Sequence, residues 1–276
     1  MDIKIIILII LLLFVLNIPI YKYKFELNDD GIVKINKILS NNDLIEIQKL
    51  LKDNNIKKIK SYISNNKNIN DKIKKFIGED YLFHDYIFYI KKSKIHTCHR
   101  DYNGTFFNKN VKNKSYTIIF YLKNMGSGLD FISGSHKNMY NNAINFFDIT
   151  QGISCEIGDA LLFDSNIVHS GAFNDDNDNP RIQMKISHKD DIKHFDYYQK
   201  YNKVLEKDNK SNIYLQRIQK NLSCQFPIIS DLTSYDKKNN IKNNTFGKNY
   251  FEELIGYLFY GDKQFYDLKE LFINKL

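Results

Sequence analysis

A chain of 276 residues that is 43% hydrophobic can bury one sizeable core, and its length favours one main globular domain with an appendage over two equal domains. Lys and Arg number 40 against 32 Asp and Glu, a net charge of +8, but the lysines are spread along a Lys-, Asn- and Ile-rich chain without Trp, so a nucleic-acid partner is allowed but not favoured. Three widely spaced cysteines, Cys98, Cys155 and Cys224, with no CxxC pair, suggest neither a disulfide framework nor a cysteine zinc site and favour a reducing compartment.

The first element is "IIILIILLLFVLNIPIY", residues 5–21, almost wholly apolar and followed by Lys22 and Lys24. It reaches the lower length limit for a membrane helix, and no small-x-small cleavage site follows it, which predicts an uncleaved single-pass anchor over residues 1–25. Lysines after the span outnumber Lys4 before it, so the body is expected on the cytosolic side.

Next, "DGIVKINKILSNNDLIEIQKLLKDN" predicts a short strand around Ile32 to Ile35, then Ser40 or Asn42 capping a helix whose apolar face is Leu44, Ile47, Leu50 and Leu51. A polar patch from Lys52 to Asn70 carries a second short helix. From Tyr81 the texture turns to short strands rich in Tyr, Phe and Ile, in "YLFHDYIFYIKKSKIHTCHRD", "SYTIIFYLKN", "GISCEIGDALLFD", "NIVHSGAF" and "RIQMKISH". The expected fold is mainly β with helical flanks, a sandwich or barrel core over residues 26–195. From Asp196 onward, "FDYYQKYNKVL", "IYLQRIQKNL" and "FEELIGYLFYGDKQFYDLKELFINKL" have helical spacing, which predicts a helical C-terminal extension over 196–276, with residues 236–249 a polar loop.

The stretch "HTCHRDYNG", residues 96–104, carries the chemistry. As a helix it would put His96 and His99 on one face; as a strand it puts His99 and Asp101 on one face and His96 on the other. Its place in the β region favours a strand running into the turn "DYNG". A His and a carboxylate two apart supply two ligands, and a third, His169 in "GDALLFDSNIVHSGAFN", completes a set that suits non-haem Fe(II). Only three arginines occur, Arg100, Arg181 and Arg217, in a chain that otherwise uses Lys. Arg181, at the start of "RIQMKIS", is consistent with a planar fork on a carboxylate.

The order His99-x-Asp101, then "LDFISGSHK", then "GDALLFDSNIVHSG", then Arg181 resembles the Fe(II)/2-oxoglutarate-dependent dioxygenases, and among them the phytanoyl-CoA dioxygenase-like branch, with similar proteins in large DNA viruses. The resemblance covers roughly residues 28–190. It implies a double-stranded β-helix core of the jelly-roll or cupin kind, with His99, Asp101 and His169 as catalytic iron ligands and Arg181 as partner of the 2-oxoglutarate C5 carboxylate. Thr117 and Tyr89, on neighbouring strands, are further candidates for the co-substrate pocket. His136 corresponds to a structural turn histidine. Ser133 replaces the proline usual in that turn, and Gln183 stands where some relatives have a serine.

The implied reaction consumes O2 and 2-oxoglutarate, yields succinate and CO2, and hydroxylates a C–H bond; halogenating relatives lack the carboxylate that Asp101 supplies. The substrate class stays open among small molecules, lipids and proteins, a membrane anchor favouring the last two. Two rival readings are a catalytically silent, membrane-tethered β-helix binding module and a cupin-like metal enzyme that does not use 2-oxoglutarate. Arg181 separates the second from the dioxygenase, because such an enzyme needs no carboxylate clamp there.

Overall fold

The structure is a computed structural model and describes residues 2–8, 20–21, 24–92, 98–137, 150–172, 178–206, 220 and 223–224. The elements in chain order are α1 (residues 3–8), β1 (Ile20–Tyr21), α2 (Leu27–Asp30), β2 (Ile32–Ile35), α3 (Asn41–Lys52), α4 (Ile56–Asn65) and α5 (Lys67–Ile77). They are followed by β3 (Tyr81–Phe83), β4 (Tyr86–Lys92), β5 (Ser115–Tyr121), β6 (Met125–Phe131), β7 (Gln151–Cys155), β8 (Ala160–Asp164), β9 (His169–Gly171), β10 (Asp178–His188) and β11 (Tyr201–Glu206). The result is a mixed fold of two β-sheets and a helical flank.

Helix α3 starts where the sequence signals it. Ser40 accepts from the Asp43 backbone N–H, and the Asp43 carboxylate accepts from the Ser40 backbone in return, so two orphan donors of the first turn are satisfied together. The polar patch after it folds into two helices rather than one. Asn66 both ends α4 and caps α5, its side chain accepting from the Ile69 N–H. Ile47, Ile59, Ile63, Ile69 and Ile73 line the inner faces of the three helices and are buried. Each contributes about 1.5–3 kcal/mol relative to an exposed position.

The larger sheet runs β11-β4-β10-β5-β8-β2, with β3 also pairing β10; the smaller runs β1-β7-β6-β9. Alternation along the strands of the larger sheet divides its two faces. Ile182, Met184 and Ile186 of β10, Tyr116, Ile118 and Phe120 of β5, and Ala160 and Leu162 of β8 pack beneath the helices. Ile119 and Tyr121 of β5 and Leu161 and Phe163 of β8 point the other way, against Leu129 and Phe131 of β6 and Ile153 of β7. This second cluster joins the two sheets face to face. Arg181, Gln183, Lys185 and Ser187, being odd-numbered on β10, share the inter-sheet side.

The N-terminal anchor is corrected. No described helix is long and apolar enough to cross a membrane. Ile20 and Tyr21, the end of the predicted span, form strand β1, paired in parallel with Gln151 and Gly152 of β7, and so belong to the smaller sheet. Residues 9–19 of the predicted span lie outside the described residues. A membrane-anchored location, and a membrane as partner, therefore have no support in the structure.

At the other end, the second half of the predicted helix "FDYYQKYNKVL" lies in strand β11, which pairs in parallel with β4 at the edge of the larger sheet. It buries Asn202, Lys203 and Leu205, and the helical spacing of the aromatic-rich stretch conceals the strand. Residues 225–276, including the polar loop at 236–249 and the last predicted helix, lie outside the described residues.

The cysteines also depart from expectation. Cys98 and Cys224, 126 positions apart, form a disulfide, while Cys155 is a buried free thiol. The same C-terminal segment brings Lys220 onto the Asp130 carboxylate in a buried ion pair and Ser223 under the Cys98 backbone N–H, which donates to its hydroxyl at 2.8 Å.

Candidate metal centre

His99 and His169 are brought together by the backbone. Each donates its N–H to the other's carbonyl, at 2.9 and 3.0 Å, in an isolated antiparallel bridge beside β9. Directly opposed residues of such a pair project to the same side, and the two imidazole rings stand 4.5 Å apart between centroids. Asp101, two positions on, keeps to that side because its backbone N–H is held by the Ser165 carbonyl at 2.8 Å. Arg100, between them, points away: its Nε donates to the Asn166 carbonyl and its guanidinium lies over the Phe106 ring.

The following turn is locked by Asn166, whose side-chain oxygen accepts from the Phe106 N–H. Gly104 permits the approach, since a Cβ there would meet that same oxygen at 2.4 Å.

One carboxylate oxygen, Asp101 Oδ1, lies 3.9 Å from Nε2 of His99 and 3.9 Å from Nε2 of His169. One donor atom from each of the three residues falls within 4.8 Å of the others. Two imidazole nitrogens and one carboxylate oxygen, gathered on one side of a shared point, fit a divalent non-haem iron with its remaining positions open. The tautomer of His169 suits the role. Its Nδ1 donates to the Ile167 carbonyl at 3.1 Å, which leaves the Nε2 lone pair facing the centre. His169 is buried, and its ring also meets Phe163 at 4.7 Å between centroids. Burial, then the neighbouring His99, push His169 down to about 3, so the ring is held in its neutral, ligating form. The His99 side chain is 34% exposed against 4% for His169, so the centre opens to solvent on the His99 side.

The other Asp101 oxygen is fully engaged. Oδ2 accepts from the Thr117 hydroxyl at 2.5 Å and from Lys185 Nζ at 2.6 Å, and Lys185 also donates to Thr117 Oγ1 at 2.9 Å. Burial alone would raise the Asp101 carboxyl; Lys185, and after it His169 and His99, outweigh that and hold it well below the usual carboxylate range. Lys185 was not among the residues expected from the sequence. The alternation Ile182, Met184, Ile186 was the available signal, because it assigns Lys185 to the side opposite the apolar one.

Arg181 is buried on the same side of β10, two rungs from Lys185, about 13 Å along the strand. A register shift against β4 between Asp178 and Arg181 re-aims the strand just before it. Its Nη1 donates to the Asn179 carbonyl, and no carboxylate among the described residues pairs with it. Burial pushes the guanidinium below its ordinary value.

Tyr89 is not brought to the centre. It pairs with Ile182 and packs in the cluster beneath the helices, on the far face of the sheet from Thr117 and Lys185. His136 is structural, its ring lying against Gly31 and its Nε2 within 3.2 Å of the Asn28 carbonyl. Ser133, in the position of the usual proline, donates to Asp30 Oδ1 at 2.6 Å. His96 lies outside the described residues.

No family model matches the chain, and no curated protein matches it. Among solved structures it is similar to EvdMO1, at 13% identity and a TM-score of 0.46, over 59% of this chain and 48% of that one, so it spans about half of that protein's length. It is also similar to the epimerase SnoN in complex with Fe3+, alpha ketoglutarate and nogalamycin RO, at 12% identity and a TM-score of 0.48, over 59% and 81% of the two chains. A third is HygX from Streptomyces hygroscopicus with nickel and 2-oxoglutarate bound, at 8% identity and a TM-score of 0.44, over 58% and 82%. These likenesses are coarse, and the functional reading rests on the side chains of the centre. The expected kinship with proteins of large DNA viruses is not carried by these comparisons and is withdrawn. His99, Asp101 and His169 form a two-histidine, one-carboxylate set of the kind that holds a non-haem iron.

Proposed function

We propose that the protein is an Fe(II)- and 2-oxoglutarate-dependent dioxygenase that hydroxylates a C–H bond of a small molecule reaching the centre from its His99 side. The observation that carries this reading is the facial set of Asp101 Oδ1 and the two histidine Nε2 atoms, with Asp101 and His169 buried and His99 partly exposed. When bound, iron with 2-oxoglutarate would supply the oxidising power, and the chain supplies position and exclusion of water. His99, Asp101 and His169 would hold the metal.

Charge supports the co-substrate assignment. Lys185 neutralises Asp101, and Arg181 adds a buried cation with no described carboxylate beside it, so the side of β10 that faces the centre has room for a dianion. In this reading the Arg181 fork takes the far carboxylate of 2-oxoglutarate while the near carboxylate and keto group go to the metal. The turn "SGSHK" and its place between the ligands favour the phytanoyl-CoA dioxygenase-like branch. Asp101, as a carboxylate ligand, favours hydroxylation over halogenation.

The test is to add Fe(II) and 2-oxoglutarate to the purified protein without oxygen and to record the weak visible charge-transfer band of the chelate, in parallel with His99→Ala. The band is expected in the parent and absent in the variant. Folded parent protein that neither binds iron nor develops the band would make the silent binding module the leading reading.

A further inference from the structure

Asp101 presents its two oxygens to different neighbours. Oδ2 is closed off by a triangle of short contacts, Thr117 at 2.5 Å, Lys185 at 2.6 Å, and Lys185 to Thr117 at 2.9 Å. Oδ1 is the oxygen equidistant from both histidine nitrogens. The three side chains are buried, so water does not compete for these contacts.

Rigid strands hold the triangle. Lys185 and Thr117 are register partners on β10 and β5, in an unbroken antiparallel ladder from Arg181 opposite Tyr121 to Ser187 opposite Ser115. The next rung inward-facing on one side is Ser187 with Ser115, whose hydroxyls lie 2.9 Å apart.

We propose that Lys185, with Thr117, is a positioning residue that occupies Asp101 Oδ2 and so makes Asp101 a one-oxygen ligand. This deepens, and rests on, the reading of His99, Asp101 and His169 as a metal site. The consequence follows from counting positions. An octahedral ion with three single-atom protein ligands keeps three free, enough for a two-atom chelate and one further molecule. If Asp101 swung to bind through both oxygens, one of those positions would be lost. The protein would then hold its metal at least as well while losing room for the chelating co-substrate.

This makes an opposite-signed prediction that a merely structural role does not. Co(II) serves as the probe metal, its binding followed by titration and by the intensity of its visible bands, and 2-oxoglutarate is then titrated into the Co(II) form. In Lys185→Met, Co(II) affinity should hold or rise, because a buried positive charge has been removed, while the 2-oxoglutarate Kd should rise by about tenfold or more. Thr117→Val should shift both in the same directions by less, and serves if Lys185→Met does not fold. Lys185→Arg, which keeps a cation and donors, should restore co-substrate binding toward the parent.

Loss of Co(II) and 2-oxoglutarate affinity together in folded variants, or no change in either, would overturn the positioning role while leaving the metal site standing. Parent protein that takes up no Co(II) would overturn the metal site itself, and this inference with it.

Discussion

Arg181 on β10 stands directly opposite Tyr121 on β5, both buried and both on the inter-sheet side. The guanidinium is thus carried by the middle of a sheet rather than by a loop, and its fork is aimed before any anion arrives. Replacing Arg181 by Ala should weaken 2-oxoglutarate binding by about 3 kcal/mol, roughly a hundredfold, because a buried charge-assisted pair is lost. Lys at this position should recover part of the loss, since it restores charge without the planar fork. Titration of 2-oxoglutarate into the metal-loaded protein reads both; an unchanged requirement in Arg181→Ala would favour a metal enzyme that uses another co-substrate.

The disulfide from Cys98 to Cys224 closes a long loop next to the ligand His99. Cross-links of this kind stabilise by about 2–4 kcal/mol, chiefly by restricting the unfolded chain. Cys224→Ser is expected to lower the urea midpoint correspondingly and to abolish the sensitivity of that midpoint to reductant. A parent midpoint indifferent to reductant would remove the cross-link from the account of stability.

His84 gives the fold a pH dependence away from the metal. It is buried, with Nε2 2.8 Å from the Ser187 hydroxyl and its ring edge-on to Phe195 and Tyr198. Burial, and then the charge of Lys185, push it down to about 3. The unfolded chain takes up this proton near pH 6.5 and the folded one near 3, so the contribution is complete above 6.5 and is lost as pH falls across that interval. The slope is up to about 1.4 kcal/mol per pH unit for one proton. His84→Gln should flatten the stability curve between pH 6 and 4 by about one proton relative to the parent, as urea unfolding at several pH values would read; equal slopes would refute the assignment.

Asp43 joins three helices through one carboxylate. It closes the capping box with Ser40, and its Oδ1 accepts from the Tyr62 hydroxyl at 2.6 Å and from Asn66 Nδ2 at 2.9 Å. Asp43→Ala should cost about 2–3 kcal/mol, a cap plus a buried partner for Tyr62, and Tyr62→Phe about 1. Thermal or urea unfolding measures both; equal costs for the two variants would mean that the cap contributes nothing.

Much of the centre was legible because it is local. His99 and Asp101 are two apart and an extended backbone puts them on one face whatever the rest of the chain does. Ser40 announces α3 by the chemistry of its own first turn, and the strand β2 was visible in its alternation. His169 and Arg181 were legible at one remove, as a histidine at the mouth of a strand and an arginine in a chain that avoids arginine.

What the sequence by itself determined, then, is the set of ligand types, their order, and the alternation of strands that carries them. Tertiary structure alone decided that Lys185 and Thr117 meet Asp101, that Tyr89 faces the helices, that Cys98 finds Cys224, and that Ile20 and Tyr21 pair with β7. Each of those outcomes depends on which strands are neighbours and in what register. A shift of one residue would turn Lys185 out of the centre and Met184 into it, and that choice is made by the burial of whole faces at once rather than by any short stretch of chain.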